Sequence, residues 1–221
     1  MGYHLAGFEV VGVDIEPQKN YPFEFHQGDA IEFIEKHGHE FDVIHASPPC
    51  QKHSAMTKGR WQDRLGAHVD LIPATRKALI KSGKYYIIEN VAGAREELIN
   101  PVMLCGTMFG LQTKHGSQLR RHRFFELNFE TGLTSPCCHK KGSVIGVYGG
   151  GQHPDRRKVP VIIGVYGNTG GSSKRDGITM FGVQDRREAM GIDWMTGKEL
   201  SQAIPPAYTK WIGERLMEQI K

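Results

Sequence analysis

The chain has 221 residues, of which 39% are hydrophobic and 24% charged, enough for one α/β domain plus a small insertion and too apolar for wholesale disorder. No stretch approaches about 18 uninterrupted apolar residues, and no basic segment followed by an apolar run opens the chain, so neither a membrane span nor a secretory signal is expected. The net charge of +4 is too small to demand a polyanionic partner, and four cysteines, two of them adjacent at Cys137-Cys138, do not make a secreted disulfide framework, so a reducing cytoplasmic compartment is expected.

Residues 1 to 8 read as the end of a helix closed by Gly7, and Glu9 to Asp14 as the strand that follows. A nucleotide-binding sheet should have an earlier strand and a glycine-rich turn ahead of that helix. The chain begins after that point, which leaves two explanations, a true start some ~20 residues upstream, the length of a strand, a turn and a helical turn, or a natural truncation that binds cofactor badly; the first is expected because everything downstream reads as intact. Asp14 ends its strand, where a carboxylate can accept hydrogen bonds from both hydroxyls of a ribose; an ordinary turn aspartate would look the same. A short strand around Phe23 to His26 leads to Gly28-Asp29-Ala30, with Asp29 placed to cap a helix from Ala30 to Lys36.

The stretch Phe41 to Gln51 organises the rest. A short β-rich run stops at Pro48-Pro49, which cannot donate ladder hydrogen bonds, and Cys50 follows just past the strand's carboxyl end. In an open parallel sheet ligands bind there, so Cys50 is placed like a nucleophile, although a small buried thiol is the commoner fate of a cysteine. Residues 52 to 66 carry Lys52, His53, Lys58, Arg60, Trp61 and Arg64 without an apolar period and read as a loop. Helical spacing follows over His68 to Lys81, with Pro73 predicting a break or a late start. Lys84 to Val91 read as a second buried strand, bringing Glu89 to the same sheet edge, while Glu96 and Glu97 are expected at the surface.

A further strand is predicted from Phe124 to Phe129, after which the composition shifts to Gly, Ser, Thr and Pro. The near repeat Ile145-Gly146-Val147-Tyr148-Gly149 and Ile163-Gly164-Val165-Tyr166-Gly167 predicts two short strands of a small β-rich module, or a hairpin that only shields the sheet. Between Lys114 and Lys158 nine Lys and Arg side chains stand against three acidic ones, a clustering that suits a phosphate backbone as well as a solvated loop. Cys137-Cys138-His139 with His153 hint at a metal, but adjacent cysteines lack the usual two-to-four-residue spacing and no metal site is expected. Pro206 opens a helix with Ala207, Trp211, Ile212, Leu216 and Ile220 on one face.

Ser47-Pro48-Pro49-Cys50-Gln51 resembles the catalytic motif of the DNA (cytosine-5) methyltransferases, and three further matches follow in that family's order. Glu89-Asn90-Val91 is similar to its second catalytic signature, Gln118-Leu119-Arg120-Arg121-His122-Arg123 to its paired arginines entering a strand, and Arg187-Glu188 with Met190-Gly191 to the segment that supports its recognition domain. The resemblance implies a Rossmann-like, S-adenosylmethionine-dependent methyltransferase sheet with a small β-rich insert. Residues 1–128 plus 182–221 would form the catalytic domain, and 129–181 a target-recognition insert too short for more than a brief site.

It further implies that the Cys50 thiolate adds to C6 of a cytosine flipped out of duplex DNA. Glu89 would hold the N3 and amino edge, and Arg123 and Arg121 would bind the base carbonyl or fix Glu89 and Cys50. Asp14, Ile15, Asp29, Ala30 and Pro48 would line the S-adenosylmethionine site. Double-stranded DNA is the implied partner of a monomer, with a cognate restriction endonuclease as a further partner that the resemblance allows, in a bacterial or phage-infected cell. Two departures stand out: the family's Phe-x-Gly-x-Gly cofactor turn is absent, and Gln202-Ala203-Ile204-Pro205-Pro206 differs from its Gln-x-Gly-Asn-like element. The competing readings are a catalytically silent DNA-binding relative and a thymidylate-synthase-like enzyme, which would act on a free pyrimidine nucleotide.

Overall fold

The computed structural model describes residues 1–49, 70–140, 144–147, 162–165 and 182–220. Helices and short strands alternate along it, an α/β composition, and among the described residues no helix is long and apolar enough to cross a membrane. The chain forms two compact units, residues 10–104 with 122–132, and residues 1–9 with 105–121 and 133–221. These cut the chain differently from the expected division at 129 and 181. The amino- and carboxyl-terminal helices pack on each other, and the strand before residue 120 pairs with the first repeat strand, so all of these segments share one unit.

In the first unit, β1 (Val11–Asp14) and β2 (Glu24–Gln27) pair in parallel, and helix α2 (Ala30–His37) follows. Asp29 caps α2 as expected, its Oδ1 accepting from the backbone N–H of Ile31 at 2.8 Å and of Glu32 at 3.0 Å. Strand β3 (Val43–Ala46) runs parallel to β4 (Tyr85–Asn90). Between them α3 (Ile72–Ser82) starts late, with Pro73 in its first turn where no intrahelical N–H is required, and closes at Gly83 with φ +67°. Strand β7 (Arg123–Leu127) is antiparallel both to β4 and to β5 (Val102–Leu104), giving a mixed sheet in the order β3, β4, β7, β5. Strands β5 and the two-residue β6 (Gln118–Leu119) escaped the sequence reading because they are shorter than a recognisable period.

One face of this sheet is the core: Tyr86 and Ile88 of β4 pack with Ile34, Ile72, Ala78, Leu79, Ala94 and Leu98. Within it Glu126 of β7, only 1% exposed, takes a two-point ion pair from Arg76 of α3, Nε to Oε1 at 2.8 Å and Nη2 to Oε2 at 2.7 Å. The same carboxylate accepts the N–H of Ile99 at 2.8 Å and the Tyr86 hydroxyl at 3.3 Å, and Arg76 Nη2 also reaches the carbonyl of Glu97. Such a pair endures in a core because its remaining lone pairs and N–H groups are also satisfied.

In the second unit α1 (Gly2–Leu5) lies on α6 (Pro206–Ile220), close enough that a Cβ at Gly2 would fall 2.0 Å from Thr209 Oγ1. Gly7 follows α1 with φ +100°, as the sequence predicts. Ile212 and Leu216 of α6 are fully buried, a contribution of roughly 1.5–3 kcal/mol each. The buried face also holds Tyr208, which the apolar pattern did not include; its hydroxyl donates to the carbonyl of Arg121. Strands β8 (Val144–Val147) and β9 (Ile162–Val165) are the near repeat, paired with each other in parallel, Gly146 opposite Gly164, and β8 also pairs with β6. Parallel pairing excludes the hairpin alternative for this repeat, since a hairpin joins antiparallel strands. Helices α4 (Val183–Met190) and α5 (Gly197–Gln202) complete this unit around Leu119, Ile145, Ala189, Met190, Ile192 and Leu200.

Breaking one side of the Arg76–Glu126 pair leaves the other charge in the core. Glu126→Ala is expected to lower the urea midpoint by the equivalent of roughly 3–5 kcal/mol. The double variant Arg76→Met with Glu126→Gln should lose distinctly less, and equal losses would show that the pair is not what the carboxylate contributes.

Candidate active site

Because side chains alternate along a strand, β4 and β7 present a second face opposite the core, and on it lie His45, Ile87, Glu89, Phe125 and Arg123. Glu89 is opposite Phe125 in the ladder, and Arg123 is two residues further along β7, the diagonal neighbour that long side chains reach. Its Nε lies 2.8 Å from Glu89 Oε1, with the two side chains only 13% and 8% exposed. Arg123 Nη1 donates to the carbonyl of His122 at 3.0 Å, which fixes the guanidinium plane. The structure thus brings together two of the predicted catalytic residues.

The Ser47-Pro48-Pro49 segment leaves β3 beside them. The parallel register that sets Ala46 level with Ile88 brings Pro48 level with Asn90, and Asn90 Nδ2 donates to the buried Pro48 carbonyl at 3.1 Å. Asn90 Oδ1 in turn accepts the N–H of Val91 at 2.9 Å, so one buried amide ties the proline exit to the end of β4. Pro48 acts here as an anchored backbone turn. Cys50, the predicted nucleophile, and the loop over residues 52–66 lie outside the described residues.

Arg121 belongs to the second unit, where its Nη2 donates to the carbonyls of Ser201 at 2.7 Å and Ala203 at 2.9 Å. It caps the carboxyl end of α5, a position where a cation is favoured. The Arg187-Glu188 segment also has structural partners there: Arg187 Nε donates to the carbonyl of Met195 at 2.9 Å, and Glu188 Oε2 accepts the N–H of Lys114 at 2.9 Å.

The expected cofactor residues gather at the carboxyl ends of β1 and β2. Asp14 accepts the N–H of Glu16 at 2.9 Å and the Gln18 amide at 3.1 Å, and its carbonyl takes the N–H of Gly28 at 3.0 Å. Asp29 and Ala30 begin α2 on the adjoining strand end, both exposed. Ile15 is 68% exposed, a large apolar side chain directly after Asp14 at the end of β1. A flat apolar base against Ile15 and a ribose against Asp14, which keeps spare lone pairs, match what these residues offer, so they fit a nucleoside cofactor.

Sequence reasoning passed over His45, which shares the site face. Its Nε2 is 3.2 Å from Ser47 Oγ, its ring meets Phe125 edge-on at 6.4 Å, and burial pushes its pKa down to about 4. The imidazole is therefore neutral at physiological pH. The only signal in the sequence is a histidine inside an apolar strand.

The folded pKa of His45 lies below the ordinary 6.5, so as pH falls through that interval the unfolded chain binds a proton that the folded one refuses. Stability from this group is complete above about pH 6.5 and is lost toward pH 4, a total on the order of 3 kcal/mol. Urea midpoints measured at several pH values should fall with acidification less steeply for His45→Gln than for the native chain. Identical slopes would rule the assignment out. Compared with known proteins, the chain matches no family model and no curated sequence.

Proposed function

We propose that the protein is a DNA (cytosine-5) methyltransferase built on a Rossmann-like sheet, which methylates C5 of a cytosine flipped out of duplex DNA. The observation that carries this reading is the buried Glu89–Arg123 pair beside an anchored Pro-Pro exit that leads directly to Cys50. The parallel pairs β1–β2 and β3–β4, with α2 and α3 between successive strands, support the sheet type.

Cytosine C5 is too weak a nucleophile to be alkylated directly. Addition of the Cys50 thiolate to C6 makes C5 electron-rich, and after methylation the loss of the C5 proton returns the electron pair that expels the thiolate. Asp14, Ile15, Asp29 and Ala30 would hold S-adenosylmethionine, which when bound would supply the electrophilic methyl group. Glu89 binds the N3 and amino edge of the base and carries the N3 proton while C6 is attacked. Arg123 orients Glu89 through its Nε and keeps water from competing for the carboxylate. The basic residues between Lys114 and Lys158 other than Arg121 and Arg123 serve the phosphate backbone, which makes binding salt-dependent. The expected setting is the cytoplasm, with the protein acting as a monomer.

Incubation with tritium-labelled S-adenosylmethionine and unmethylated duplex DNA should label the DNA. Cys50→Ser should abolish labelling, and Glu89→Gln should lower it by about 10²-fold or more. DNA carrying 5-fluorocytosine, which has no C5 proton to lose, should leave an adduct stable to denaturation with the native chain and none with Cys50→Ser. Salt-sensitive DNA binding with neither label nor adduct would favour a silent DNA-binding protein, and label on free pyrimidine nucleotide alone would favour a nucleotide enzyme.

A further inference from the structure

In the second unit the fold brings a distant cysteine to the Cys137-Cys138-His139 segment. Cys105, fully buried, precedes the turn Gly106–Phe109, and its Sγ lies 3.4 Å from His139 Nε2. The ligand atoms of Cys105, Cys137 and His139 all lie within 4.8 Å of one another. Two thiols and an imidazole on a tetrahedral zinc, with bonds of about 2.3 and 2.0–2.1 Å, stand roughly 3.5–3.8 Å apart, so only small side-chain shifts separate this cluster from a coordinated one.

The surrounding contacts hold the cluster in place without metal. Gln118 Nε2 donates to the carbonyl of Cys138 at 3.1 Å, Arg120 Nη2 donates to the carbonyl of Lys140, and the N–H of Cys138 donates to Thr107 Oγ1 at 3.3 Å. That same hydroxyl lies 3.2 Å from Cys105 Sγ, the kind of outer contact that orients a thiolate ligand.

We propose that Cys105, Cys137 and His139 bind a structural zinc ion that fastens residues 137–139 to the Cys105 turn. Sulfur and imidazole donors select zinc over magnesium or calcium, which take oxygen. Cys138, adjacent but exposed, is not a ligand.

The test is the metal content of the full chain, purified under a phosphine reductant from zinc-supplied cells, with Cys137→Ser, His139→Ala and Cys138→Ser beside it. The native chain and Cys138→Ser should carry about one zinc each, and Cys137→Ser and His139→Ala, altered at the less buried positions, should lose most of it. Cobalt added to chelator-treated native chain should give a thiolate-to-metal charge-transfer band and the visible bands of a tetrahedral ion, both absent in Cys137→Ser. Zinc content indifferent to Cys137→Ser and His139→Ala, or lost equally with Cys138→Ser, overturns the assignment. So does a metal-free native chain in which two thiols appear only on reduction, which would make Cys105 and Cys137 a disulfide.

Discussion

The Arg76–Glu126 pair is the constraint on which the first unit depends. It joins helix α3 to strand β7 in the core, and the Ile99 N–H and the Tyr86 hydroxyl add the following turn and strand β4 to the same carboxylate. A buried carboxylate with so many fixed partners has one satisfactory position, and a shift of β7 along β4 would leave its charge unmatched. The ladder register between these strands is therefore set from the core side. On the other face that register is what places Arg123 beside Glu89.

Local chemistry made most of this unit legible in the sequence. Asp29 announced the start of α2, Pro73 the late start of α3, and the two prolines after Ala46 the end of β3, because each acts on the backbone within a few residues. Non-local pairing was not legible. Nothing within Arg123 to Leu127 says that the strand runs antiparallel to β4, or that the two repeat strands lie side by side in parallel, since those facts belong to distant partners.

Arg121 and Arg123 show the same limit at the level of single residues. They are alike in sequence and two residues apart, yet Arg123 joins a buried carboxylate while Arg121 is held by the carbonyls of Ser201 and Ala203. Which carbonyls a guanidinium finds is decided by residues some eighty positions away, so proximity in the chain could not separate the two. Cys105 is another case. Spacing within Cys137-Cys138-His139 argues against a metal, whereas the third donor of the proposed site arrives across 31 intervening positions that a local motif never spans.

Glu89 and Tyr86 are three residues apart on β4, and Arg123 and Glu126 are three apart on β7. An odd interval along a strand puts each pair on opposite faces, which is how one pair of strands keeps an internal clamp on one side and the Glu89–Arg123 pair on the other. The arrangement behaves like a parity code. Losing or gaining a single residue inside either interval would exchange inside for outside and set the charge of the opposite face into the hydrocarbon core. Evolution along this stretch is thereby restricted to substitution, because any change of length between the clamp and the site is read by both faces at once.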